Sequence, residues 1–251
     1  MAYSATDTHI LFAARFSRMF AYGFLSVALA LYLAQIGLSE KKIGLLLTLT
    51  LLGDAAISLW ITTAADRIGR RRMLLLGAAL MVLAGVVFVL TKNFALLLVA
   101  AIVGVISPSG NEIGPFLSIE QAALSQLAPD ERRTKMFAWY NLVGSFATAL
   151  GALSGGGLMQ ILQNSGATEL DSYRAVLVGY AVLGVALIAL FTRLSSAVEI
   201  SSPRPLWAAI RSKNFYFQKR PTRGRDYNKR RLIFGNFSFG LHRSRSVVMK
   251  L

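Results

Sequence analysis

The chain repeatedly presents apolar stretches of about 20 residues, the length a helix needs to cross roughly 30 Å of hydrocarbon. Six such runs can be drawn, at about 10–35, 43–65, 73–90, 94–127, 136–162 and 173–194. Lipid offers no partner to a bare peptide group, so segments this long and this rich in Leu and Ala must satisfy their backbone internally, as helices rather than barrel strands. Composition agrees, since 55% of the 251 residues are hydrophobic, only 16% are charged and the mean hydropathy is +0.54. A soluble domain of this length would need more surface charge. The expected fold class is an all-α membrane protein with a six-helix transmembrane domain over residues 1–200.

Residues 201–251 differ in character. They hold 13 of the 27 Lys and Arg but only one acid, Asp226, and intersperse them with aromatics such as Phe215, Tyr216, Tyr227 and Phe234. No run there is long enough to span, so a flexible basic cytoplasmic tail or central loop is expected. It could hold anionic lipid headgroups or touch nucleic-acid phosphates without specificity. No nucleic-acid recognition motif is evident, and no specific nucleic-acid partner is expected.

Charge in the connectors sets the orientation. Arg67, Arg70, Arg71, Arg72, Arg132, Arg133 and Lys135 fall on one side, against Lys41, Lys42, Lys92 and Arg174 on the other. The positive-inside rule then places both termini in the cytoplasm. No cleavable leader is expected, because Met1 to His9 lacks a basic start and the first apolar run is long, without a small-residue cleavage site. With no cysteine, two distant histidines, no nucleophile triad and no phosphate-binding loop, neither an enzyme nor a metal or other cofactor is expected.

Residues 65–77 read ADRIGRRRMLLLG. A positive-inside anchor accounts for the arginines but not for the acid and glycine among them. Asp66, Arg67, Gly69, Arg70 and Arg71 follow the pattern D-[RK]-x-G-[RK]-[RK] between the second and third spans. In this the chain resembles the major facilitator superfamily of transporters, although Thr62 stands where the fuller pattern has a glycine. The resemblance covers roughly residues 10–200. It implies two three-helix repeats forming the N-terminal half of a 12-helix bundle, and secondary active transport of a small solute by alternating access. It further implies that the five motif residues form a gating loop, with Asp66 meeting a helix N-terminus of the second half and Arg70 or Arg71 holding it. Six spans are half of such a transporter. The chain is therefore expected to be truncated before the second half, with membrane lipid, a small-molecule substrate, and a second half or another copy as partners. The alternative is a non-transporting membrane protein or truncated product whose basic tail binds anionic lipid or a partner.

Within the spans, Gly144, Gly151 and Gly155 fall on one helical face, which suits close helix packing. Gly151, Gly155 and Gly156 also resemble a glycine-rich motif of the superfamily's drug-proton antiporters, with Ala147 and Ala152 replacing its first glycine and its proline. Asp54 precedes Asp66 by about 18 Å of helix, near mid-membrane, and is a candidate for substrate or proton binding or for a structural hydrogen bond. The fourth run is interrupted by SPSGNEIGP at 107–115, which either sets Asn111 and Glu112 in a helix break of the kind found at transport sites or ends the helix near Pro115 with the rest at the membrane interface. Glu120 and Gln121 are further candidates for the same cavity. The superfamily often carries an arginine in this run that is implicated in proton coupling, and here there is none. Arg15 and Arg18, one turn apart in the first span, are expected to snorkel to the membrane surface, with a substrate contact as the alternative.

The absence of cysteine makes the orientation directly testable. In intact cells, Lys92→Cys should react with an impermeant thiol reagent, whereas Arg132→Cys should react only after the membrane is opened. The reverse labelling pattern would invert the topology.

Overall fold

The computed structural model describes residues 5–104, 106–107, 115–127, 132–195 and 198–199, with the side chains at 5, 62, 63, 66, 67 and 115 left outside the description. The chain divides into two units, Met1–Pro203 and Arg204–Leu251. The second unit, which holds most of the basic segment, lies outside the described residues.

Seven helices follow in order: α1 Ala5–Gln35, α2 Glu40–Ile68, α3 Arg70–Leu90, α4 Phe94–Val103, α5 Pro115–Leu127, α6 Arg133–Asn164 and α7 Glu169–Thr192. No strand occurs among the described residues. Five helices, α1, α2, α3, α6 and α7, are long and apolar enough to cross a membrane. The helices outlast the apolar runs at several ends, because the hydrogen-bond ladder continues through charged residues such as Glu40 and Arg70 once hydrocarbon is left behind. Local chemistry sets two starts. The Asn93 side chain accepts from the backbone N–H of Ala95 at 2.9 Å to open α4, and Thr168 accepts from Asp171 at 3.1 Å to open α7.

The run 94–127 differs from the single span drawn for it. Helix α4 stops at Val103, where the Gly104 N–H closes the last turn on the Ala100 carbonyl at 2.8 Å. The chain becomes helical again at Pro115, a first position that needs no N–H of its own. At about 15 Å and 20 Å, α4 and α5 are each too short to cross alone. Most of the intervening SPSGNEIGP segment, including Asn111 and Glu112, lies outside the described residues.

Helix α1 is the hub. It packs chiefly on α6 and α7, while α3 packs on α7 and α2 meets α4 and α5. Its buried stripe runs through Leu11, Ala14, Arg18, Tyr22, Leu25, Leu29 and Tyr32, the spacing of one helix face. Close approach to α6 depends on glycine: a Cβ on Gly151 would fall 2.1 Å from the Phe20 carbonyl oxygen, and one on Gly155 would fall 2.5 Å from that of Phe24. Near the far end of α1, the Tyr32 hydroxyl donates to the Phe88 carbonyl at 2.5 Å and ties α1 to α3. The outer faces are apolar, with Leu52, Leu59 and Trp60 on α2 and Phe146, Leu153 and Ile161 on α6 all exposed. Such surface is a liability in water and is at home against lipid or another helix.

The α1–α6 contact predicts an asymmetry between glycines. Gly151→Ala should lower the stability of the purified chain by about 1–3 kcal/mol, because backbone must move to admit the methyl group. Gly157→Ala, where an added Cβ meets nothing within 4 Å, should leave it unchanged or slightly raised. Thermal unfolding in detergent checks both, and equal effects would mean that the close packing does not limit stability.

Candidate functional site

The interior of the bundle is not uniformly apolar. Arg18 on α1 and Glu120 on α5 are both fully buried, and the guanidinium meets the carboxylate through two bonds, Nη1 to Oε1 at 2.5 Å and Nη2 to Oε2 at 2.9 Å. The Tyr140 hydroxyl on α6 donates to the same Oε2. Aromatic rings complete the surroundings: the Arg18 guanidinium lies 4.7 Å from the Phe116 ring centre, and that of Arg15 lies 4.8 Å from the Tyr140 ring centre. Desolvating two ions costs several kcal/mol each, and it is tolerated where bidentate geometry and a further donor satisfy the charges, as here.

Asp54 presents the opposite case. It is the central residue of α2, it is 3% exposed, and its Oδ1 has no hydrogen-bond partner among the described residues. The Tyr22 hydroxyl is likewise buried without a hydrogen bond among them. Tyr22 lies within electrostatic range of Arg18, Glu120 and Asp54, and Tyr180 on α7 within range of Tyr22 and Asp54. Tyr22 thus stands between the two carboxylates, within electrostatic range of the paired Glu120 and of Asp54.

The expectation that Arg15 and Arg18 snorkel is corrected by this geometry, since they are 6% and 0% exposed. The physical reason for Arg18 is its partner, since a guanidinium bonded to a carboxylate inside the bundle need not reach the surface, while Arg15 lies over the Tyr140 ring. The pattern carried a signal for it. Arg18 stands on the α1 face that buries Leu11, Ala14, Tyr22 and Leu25, which a surface-seeking residue would avoid. Tyr22, Tyr140 and Tyr180 carried no such signal, because a tyrosine on an apolar face reads as ordinary core. Gln121 is half-buried beside Glu120 and makes no described polar contact.

A second polar cluster closes one end of the bundle. Asp66 and Arg67 lie in the last turn of α2, with side chains outside the description, and Gly69 breaks the chain between α2 and α3 at φ +111°, a conformation suited to glycine. The Glu199 carboxylate accepts from the backbone N–H of Arg70 at 2.8 Å and of Arg71 at 3.3 Å, which caps α3 where a helix favours negative charge. Arg71 donates through Nε to the Phe191 carbonyl at 3.3 Å and through Nη2 to that of Thr192 at 2.5 Å, at the end of α7. Across the same end, the buried Asp7 of α1 accepts from Ser195 N–H at 3.0 Å and from its hydroxyl at 2.5 Å. Nothing in the sequence pattern pointed to Glu199, Asp7 or Ser195. Gly144 faces the inner site instead, where an added Cβ would fall 2.6 Å from Arg15 Nε.

Removing one partner of the inner pair leaves the other as an uncompensated buried charge. Glu120→Gln should therefore destabilise the chain by about 3–5 kcal/mol, and replacing both residues, Arg18→Leu with Glu120→Leu, should cost less than the single change. Unfolding in mixed detergent measures both. A double variant worse than the single would show that the pair contributes net stability.

The sequence profile of the Major Facilitator Superfamily matches residues 11–244. The chain is 42% identical over 199 residues to the uncharacterized membrane protein YJR124C of Saccharomyces cerevisiae, covering 78% of this chain and 44% of that one. It is 23% identical over 139 residues to the quinolone resistance protein NorA of Staphylococcus aureus, covering 55% of this chain and 34% of that one. In three dimensions it is similar to the crystal structure of a D-xylose-proton symporter, with a TM-score of 0.61 at 15% identity, over 87% of this chain and 54% of that one. The chain thus spans about half the length, or less, of the proteins it matches. A profile match across nearly all the described helices, joined to an all-helical fold of the same architecture, settles the class: this is an integral, multi-pass membrane protein that belongs to the Major Facilitator Superfamily of transporters, and not to an enzyme family.

Proposed function

We propose that the chain supplies one half of a secondary active transporter that moves a small solute by alternating access. The observation that carries this reading is the unpaired Asp54 carboxylate at the centre of α2, in contrast to the fully paired Arg18–Glu120 bridge. Ionisable groups are expensive at membrane depth and mark solute or ion pathways when they face the bundle interior. Glu120 already has its counter-ion, so its role is to position α1, α5 and α6. Asp54 is the carboxylate available to an arriving cation, proton or solute donor, with Tyr22 and Tyr180 as its polar neighbours. Asn111 and Glu112, which lie outside the described residues, remain further candidates on the sequence pattern alone.

The motif at Asp66, Arg67, Gly69, Arg70 and Arg71 acts as the gating loop at the cytoplasmic end. In support, Arg71 holds the last carbonyls of α7, and Glu199 holds the start of α3. Rocking of the half would have to carry these contacts with it or exchange them. The second wall of the cavity comes from another six-helix half, which the chain's coverage of its relatives favours, or from a second copy.

The test is flux into proteoliposomes, using a fluorescent quinolone and a panel of sugars and amino acids as probe solutes. The 251-residue chain alone should insert without transporting, and co-expression with a second six-helix half from a superfamily member should restore flux. Asp54→Asn should then abolish most of that flux while leaving insertion intact. Robust flux from the chain alone would overturn the half-transporter reading, and unchanged flux in Asp54→Asn would remove Asp54 from the mechanism.

A further inference from the structure

At the end of the bundle where α1 and α6 begin, a cavity of about 800 Å³ opens between the two helices. Its described lining is Thr8, His9 and Phe12 from α1, Arg132 just before α6, and Met136 and Trp139 with their neighbours Lys135 and Val143 on α6. Arg132, Lys135 and His9 are exposed, and none of the described lining residues is acidic. Asp7, the acid nearest in α1, is turned into its bonds with Ser195. Asp130 and Glu131 precede Arg132 outside the described residues.

The lining is ordered along the helix axis. The basic groups sit at the helix starts, and one turn or more inward the wall is Phe12, Met136, Trp139 and Val143. Trp139 is 53% exposed and is followed on α6 by Leu142 and Phe146, at 56% and 61%. An occupant that satisfies the whole cavity is negative at one end and apolar for the length of several helical turns. A small inorganic anion would leave the aromatic wall bare, and a neutral hydrocarbon would leave the cations unanswered.

We propose that this cavity is a binding site for an anionic phospholipid, whose phosphate is held by Arg132 and Lys135 near His9 and whose acyl chain lies along Phe12, Met136 and Trp139. The position suits it, because basic side chains and a tryptophan at the ends of membrane helices stand at headgroup depth. The site shares no lining residue with Asp54 or Glu120, although its Phe12 ring meets that of Tyr140 at 5.6 Å between centres, and its occupation does not depend on transport.

Trp139 reports directly on the site. In a chain carrying Trp60→Phe and Trp207→Phe, reconstituted in phosphatidylcholine vesicles, acyl-brominated phosphatidylglycerol at low mole fraction should quench Trp139 far more than the same fraction of acyl-brominated phosphatidylcholine. Two basic side chains should enrich the anionic lipid at the site on the order of tenfold. Arg132→Gln with Lys135→Gln should abolish the preference, with helicity and insertion unchanged as the control for folding. Inorganic phosphate added to the buffer should not displace the lipid. Three results would overturn the proposal: equal quenching by the two lipids; a preference that survives the double variant, which would assign it to the basic segment 201–251; or displacement by free phosphate, which would make the cavity a site for a soluble anion.

Discussion

Two full charges held inside an apolar bundle must answer one another, and Arg18 and Glu120 do so through two bonds at 2.5 and 2.9 Å with no solvent reaching either. Their geometry constrains three helices at once. Helix α1 must present Arg18 toward α5, α5 must start late enough to bring Glu120 to that depth, and α6 must place the Tyr140 hydroxyl on the remaining carboxylate lone pair. A bidentate bridge tolerates little rotation of either helix, so it sets register where interchangeable leucines would not. The glycines of α6 serve the same end. Without a side chain at Gly144, Arg15 can lie over Tyr140, and without one at Gly151 the two backbones can close on each other.

The two buried carboxylates are thus held differently. One carboxylate is neutralised by a cation that cannot leave without a large penalty, and the other, Asp54, has no such anchor among the described residues. The locked pair fixes the positions of the helices that carry it, and Asp54 is the carboxylate proposed above for solute or ion binding. Burial alone does not separate the two, since Asp54 and Glu120 are both nearly inaccessible; hydrogen bonding does.

At the end of the bundle, the charge cluster between α2 and α3 has a use within its own half. Arg71 donates to the Phe191 and Thr192 carbonyls at the end of α7, the first of which also accepts from the Leu194 N–H, and Glu199 satisfies amides that the start of α3 leaves open. Each helix end would otherwise carry unpaired backbone groups. The motif arginines thus fasten α3 to the chain leaving α7, while Asp7 fastens that same segment to α1. Three helix ends and the chain leaving α7 share one set of contacts.

The class of protein was legible in the sequence because hydrocarbon imposes length and composition on whatever crosses it, and because the Asp66 to Arg71 pattern is short, ordered and local. An interruption of the fourth apolar run was legible at residues 107–115 because proline and glycine act locally, but the helix ends earlier than that, at Val103, and resumes at Pro115. The pairing of Arg18 with Glu120 was not, because the two residues are 102 positions apart and nothing local distinguishes an arginine that snorkels from one that meets a carboxylate. The same holds for Glu199 and Asp7, whose partners are fixed only when α7 returns to the ends of α3 and α1. Sequence by itself determined that the chain forms membrane-spanning helices of this superfamily, since those properties arise from each segment's encounter with lipid. Only the tertiary structure decided which buried charge is spent on holding helices together and which is left available, because that depends on distances between side chains that no segment contains alone.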